Sequence, residues 1–193
     1  MVYTALLRGI NVGGKNKIAM PKLKESFESV GMTHVVTYIN SGNIIFQWHA
    51  GEQTAPEKMP ETAADVLSQK LEAVIERDFG LAIKVLVLDM NAMTAVMETL
   101  PDAWQNDDAM KSDVMFLWEL ISEAELRSKL KIVGGIDTVY IIKEAIFWSV
   151  LRENATRSGM TKVVGTALYK KMTVRNVNTV RKIYALMLTN DQV

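Results

Sequence analysis

Val35-Val36-Thr37-Tyr38-Ile39, then Asn40-Ser41-Gly42-Asn43, then Ile44-Ile45-Phe46 is the stretch that decides the fold. Two β-branched and aromatic runs flank a four-residue cluster of turn formers, which predicts a hairpin. Upstream, Val2 to Leu7 is a short apolar run closed by Arg8-Gly9 and reads as a buried strand. Between that strand and the hairpin, Pro21 opens a helix whose Leu23, Phe27 and Val30 share one face, and Gly31 ends it. Downstream, Thr62 to Phe79 repeats Ala64, Leu67, Leu71, Val74 and Ile75 at helical spacing, and Ile83 to Leu88 is again a strand. The order is β-α-β-β-α-β, which predicts an α+β protein with a ferredoxin-like lobe over residues 1–90. His49 to Pro60, with Glu52 and Glu57, reads as a solvated loop, and Glu61 is grouped with it.

Residues 91–193 predict a second, smaller α+β lobe. Asn91 is placed to cap a short helix, and the polar run Pro101 to Ala109 marks the boundary region. A strand over Asp113 to Leu117 precedes a capping box, Ser122-x-x-Glu125, with Ile121 and Leu126 as its hydrophobic staple. Two apolar runs, Asp137 to Ile142 and Ala145 to Leu151, flank Lys143-Glu144 and read as a second hairpin. Thr161 to Tyr169 and Asn178 to Leu188 read as helices, so this lobe echoes the β-α-β-β pattern of the first without a closing strand.

Composition removes several chemistries. The chain has 193 residues and no cysteine, so thiol nucleophiles, disulfides and zinc–thiolate sites are excluded, and its two histidines, His34 and His49, cannot furnish a multi-histidine metal site. Lys and Arg balance Asp and Glu at 22 each, so whole-chain charge points to neither nucleic acid nor membrane. No basic leader and no long apolar run stand in the sequence, and a cytoplasmic protein without membrane segments is expected.

Polar residues gather in four segments without a carboxylate: Arg8 to Lys17, Thr37 to Asn43, Arg157 to Lys162 and Thr173 to Thr179. In a ferredoxin-like sheet the end of the first strand lies beside the start of the third, which brings Arg8 and Gly9 to the edge holding Ser41, Gly42 and Asn43. Glycines let backbone N–H groups approach a ligand, and Arg and Lys add charge, a combination suited to anions. Arg175, with Asn176 and Asn178, stands where the last helix opens, another place where anions are favoured. The candidate ligand-binding set is therefore Arg8, Asn11, Lys15, Lys17, Ser41, Asn43, Arg175, Asn176 and Asn178. Ordinary turn building and helix capping account for the same asparagines and glycines.

Gly9 to Asn16 nearly matches a P-loop, but Asn16 replaces the metal-binding hydroxyl and the helix starts only near Pro21. No paired carboxylates, nucleophile elbow or metal-ligand spacing appears, so no catalytic residue, metal or cofactor is assigned. Three functions fit the residues: binding of a phosphorylated or nucleotide-like anion, small molecule or nucleic acid; an enzyme acting on a phosphorylated or carboxylated substrate; and a protein-interaction scaffold. The oligomeric state is not encoded in any of these features.

Tyr3 to Lys17, Val36 to Asn43 and Met172 to Val180 resemble the bacterial family called domain of unknown function 1697 (DUF1697). The third segment departs from it at Val177, where the family usually has an aromatic residue. The resemblance implies a two-lobed α+β fold with a ferredoxin-like N-terminal part, and it implies no reaction, cofactor or catalytic residue.

Overall fold

The computed structural model describes residues 1–49 and 62–192. Glu52, Glu57, Glu61 and most of the loop expected from His49 to Pro60 lie outside the described residues. The chain forms two compact units, Met1–Met93 together with the stretch from Ile183 onward, and Thr94–Lys182. The final helix turns thus belong with the N-terminal unit, a long-range association that a single boundary at residue 90 does not capture.

The first unit holds β1 (Val2–Leu7), α1 (Met20–Ser29), β2 (Thr33–Tyr38), β3 (Asn43–Gln47), α2 (Ala63–Phe79) and β4 (Val85–Asp89). These strands form one antiparallel sheet in the order β2-β3-β1-β4. Tyr3, Ala5 and Leu7 alternate along β1 toward a core completed by Ile44 and Phe46, Leu23 and Phe27, and Leu67, Leu71, Val74 and Ile75. Phe27 meets Phe46 edge-on at 6.1 Å, which fixes α1 against the hairpin strand. Trp48 joins this core through an edge contact with Tyr3 at 6.5 Å. The capping box of α2 is complete: Thr62 Oγ1 accepts from Asp65 N, and the Asp65 carboxylate accepts from Thr62 N.

The second unit is built on β5 (Met110–Leu117), α4 (Glu123–Lys129), β6 (Thr138–Ile141), β7 (Ala145–Leu151), α5 (Met160–Val163) and β8 (Met172–Asn176). Its sheet is also antiparallel, in the order β6-β7-β5-β8. Met115, Leu117, Ile146, Trp148 and Val150 pack with Leu126 of α4, Leu130 just after it, and Met160 and Val163 of α5. Two further helices, α3 (Met90–Thr99) and α6 (Val177–Asn190), follow the last strand of each sheet, and the division between units falls within both.

Three expectations are corrected. The second sheet does have a closing strand: Met172–Asn176 pairs with β5 from Leu117↔Met172 to Asp113↔Asn176. Its polarity concealed it, because Thr173 and Arg175 are buried and satisfy each other, Arg175 Nη1 donating to Thr173 Oγ1 at 2.9 Å. The helix expected over Thr161 to Tyr169 is only the single turn of α5, since Gly165 at φ 85° turns the chain away. Asp89, not Asn91, caps α3, its Oδ1 accepting from Ala92 N at 2.8 Å.

Among the described residues no helix is long and apolar enough to cross a membrane.

Candidate functional site

Leu6 pairs with Asn43 across the β1–β3 ladder, and Leu7 N donates to Gly42 O at 2.8 Å. One residue later, Arg8 N donates to Lys84 O at 3.0 Å. The end of β1 is therefore held between the β2–β3 turn and the approach to β4, and Arg8 emerges there half-buried. Arg8 and the Ser41-Gly42-Asn43 turn share one end of the sheet.

The ten residues from Arg8 to Lys17 are an ordered arm. Ile10 and Ile18 are buried at its base, while Val12 to Lys17 are exposed. Val12 and Lys15 form a bridge, with Lys15 N donating to Val12 O at 3.1 Å, and Asn11 N donates to Asn16 O at 3.1 Å. Gly13 and Gly14, at φ 58° and 76°, make the two-residue turn that only left-handed residues close without strain. The arm is thus a miniature hairpin. It is not the loop-to-helix anion cradle of a P-loop, since α1 begins only at Met20.

Asn11 and Asn43 are spent on holding this geometry. Asn11 Nδ2 donates to Ile18 O and to Asn40 O, both at 2.9 Å, and its Oδ1 accepts from Ile18 N at 2.9 Å. One amide thus ties both ends of the arm to the neighbouring turn. Asn43 is fully buried, and its Nδ2 donates to Tyr38 O and Ser41 Oγ, both at 3.1 Å. Asn16 Nδ2 donates to Gly9 O at 3.0 Å. Lys15 and Lys17 differ: both are exposed, and neither is in an ion pair among the described residues. From Arg8 to Lys24 the chain carries five cations and no carboxylate, in a protein whose 22 basic and 22 acidic residues cancel over the whole chain.

Arg175, Asn176 and Asn178 lie in the second unit, and the structure gives each an internal partner. Burial draws the Arg175 guanidinium down to about 10, which leaves it charged at neutral pH, and Nη1 also donates to Val174 O at 2.8 Å. Asn176 Oδ1 caps α6 by accepting from Thr179 N at 2.8 Å. Asn178 grips the peptide unit of Asn106, its Nδ2 donating to the carbonyl at 3.0 Å. Arg181 completes the same clamp on the 101–106 loop, donating to Trp104 O at 2.7 Å and Pro101 O at 2.9 Å.

Two features escaped sequence reading. Asp113 is the one described carboxyl group whose pKa is raised, by burial on β5 and against the opposing pull of Lys111 and Arg152. Asp137 organises the segment around Ser158. Its carboxylate accepts from Ser158 Oγ, from Gly159 N at 2.9 Å and from Val133 N at 2.8 Å. Ser158, within the polar segment Arg157 to Lys162, is fully buried. Burial alone would raise the Asp137 carboxyl, but these donors hold it below its ordinary value of 3.8. A group depressed in the folded state contributes stability above its unfolded pKa and loses it as pH falls through the folded one. The urea midpoint of Asp137→Asn is therefore expected below that of the wild type at neutral pH, with the gap closing under acid below about pH 4. A gap that stayed constant through acid titration would remove the carboxylate charge from the explanation.

A family model described as protein of unknown function (DUF1697) matches residues 1–147. The chain belongs to the DUF1697 family. The matched span of DUF1697 contains the whole β1–α1 arm and the β2–β3 turn, and it ends before β8. A solved structure described as conserved bacterial protein SP0830 from Streptococcus pneumoniae is similar to this DUF1697 chain over nearly all of its length. The two are 28% identical, with 96% of this chain and 98% of that chain covered and a TM-score of 0.75. No curated protein matches the sequence.

Proposed function

We propose that this protein binds a phosphorylated, nucleotide-like anion at the β1–α1 arm, with Arg8, Lys15, Lys17 and Ser41 as contact residues. The carrying observation is an exposed, internally hydrogen-bonded hairpin that presents Lys15 and Lys17 outside any ion pair of the described residues. Backbone held by its own hydrogen bonds lowers the ordering cost of binding, and Lys15 and Lys17, in no ion pair of the described residues, can be spent on a ligand. Asn11 and Asn43 act as positioning residues for the arm. Arg175, Asn176 and Asn178 serve the second unit internally. The first unit is read as ferredoxin-like: the β-α-β-β-α-β order with strands arranged β2-β3-β1-β4 supports this, and it puts the arm beside the hairpin turn. We place the protein in the cytoplasm, where phosphorylated ligands are abundant.

A thermal-shift panel of nucleotides, phosphosugars and short oligonucleotides at low and high salt tests this. Ligands of the native state raise the melting temperature by mass action. At least one phosphorylated compound is expected to stabilise the wild type at low salt, with the shift reduced at high salt. Lys15→Ala/Lys17→Ala is expected to lose that shift while its unliganded stability stays within ~0.5 kcal/mol, as exposed substitutions do. Equal shifts in both proteins would move the site elsewhere.

A further inference from the structure

A second candidate site lies in the first unit, away from the arm. The last turns of α6 meet the edge strand β2 and α1 around a groove of about 330 Å³. Lys24, Glu28, His34, Val36, Leu186 and Asn190 are among its lining residues. This volume is at the lower end of small-molecule sites.

Asn190 is the informative residue. It is 6% exposed, its carbonyl accepts from Gln47 Nε2 at 2.7 Å, and its Nδ2 donates to His34 O at 2.8 Å. The second bond fixes the orientation of the side-chain amide. Its Oδ1 is buried and has no hydrogen-bond partner among the described residues. Buried acceptors are almost always satisfied in native proteins, so this oxygen calls for a donor. Further features of the groove favour a cationic donor. The Glu28 carboxylate is 43% exposed, and its contact with Lys24 is a long one at 3.7 Å between two exposed groups, which leaves it open to another cation. The C-terminal end of α6 adds the partial negative charge of its last carbonyls. Val36, 38% exposed on an edge strand, and the half-buried Leu186 supply apolar walls. His34, exposed and held at φ 50° where the β2 ladder shifts register, lines the groove, and its carbonyl accepts from Asn190 Nδ2.

We infer that this groove binds a small primary ammonium compound with an apolar body: an N–H donated to Asn190 Oδ1, the charge beside Glu28, and the apolar part on Val36 and Leu186. The site shares no residue with the anion-binding arm and stands or falls independently of it.

The test is a ¹H–¹⁵N NMR titration of the full chain with benzylamine, with benzoate as the charge-reversed control. Benzylamine is expected to shift the Asn190 side-chain amide and the backbone amides of His34 and Val36, while benzoate leaves them in place. Glu28→Gln is expected to weaken benzylamine about three- to fivefold, the worth of an exposed charge contact. Leu186→Trp, which fills the groove from a half-buried position, is expected to abolish the shifts. An unmoved Asn190 amide, equal shifts with benzoate, or unchanged affinity in Glu28→Gln would each overturn the assignment, and the wild-type comparison needs no variant to fold.

Discussion

Gly159→Ala is expected to cost ~3 kcal/mol or more of folding stability, beyond the usual range for overpacking. A methyl group built on Gly159 would stand 1.8 Å from Lys131 O and 2.6 Å from Lys131 C. Those are backbone atoms, so no side-chain rotation relieves the clash. The strand-side wall is tight as well, with Trp148 Cζ2 at 3.2 Å. The backbone must therefore separate, and the bonds from Gly159 N and Ser158 Oγ to Asp137 are the first to be lost. For a chain of this size the expected fall in melting temperature is ~6–12 °C. A urea midpoint within experimental error of the wild type would show that the 131–137 and 157–160 segments are not packed as described.

Gly42→Ala is expected to cost ~2–3 kcal/mol, from overpacking and an unfavourable backbone together. Gly42 has φ 76°, and a Cβ there would stand 2.7 Å from Leu7 Cβ and 3.0 Å from Ile10 Cδ1. Leu7 and Ile10 are fully buried and cannot retreat easily. The consequence reaches the candidate site, because Leu7 is the last residue before Arg8 and Ile10 anchors the base of the arm. Calorimetry is expected to show the loss of stability, and amide exchange across Gly9 to Asn16 is expected to accelerate in the same variant. Wild-type exchange in a destabilised variant would uncouple the arm from the hairpin turn.

These two glycines also show how far the sequence could be read. Gly42 sits in Asn40-Ser41-Gly42-Asn43, whose turn chemistry announces a hairpin, and the Leu6↔Asn43 pair lies where the first and third strands were expected to meet. Gly159 has ordinary right-handed backbone, φ −67°, so nothing local marks it. Its requirement comes from Lys131, which the fold brings close. The same distinction separates Asn11 from Lys15. Both stand in a polar loop and both are plausible ligand contacts by composition. Only the fold reveals that the Asn11 amide closes onto Ile18 and Asn40 while Lys15 stays outside. Strand β8 was illegible for a related reason. Period-two alternation is recognised through apolar residues, and here Thr173 and Arg175 occupy the buried positions, compensated by hydrogen bonds that only the folded sheet provides. Asp137 and Ser158 are 21 residues apart and share no motif, so their pairing had no signal in the chain.

The most direct measurement is an NMR titration of wild-type protein with inorganic pyrophosphate, following the backbone amides of Gly9 to Lys17 and of Ser41 to Asn43. The expected result is a saturable shift of the Gly13, Gly14, Lys15 and Asn16 amides at low salt, diminished at high salt and absent in Lys15→Ala/Lys17→Ala. Amides of the arm that stay fixed while others in the protein move, or an arm response that persists without both lysines, would contradict anion binding at this site.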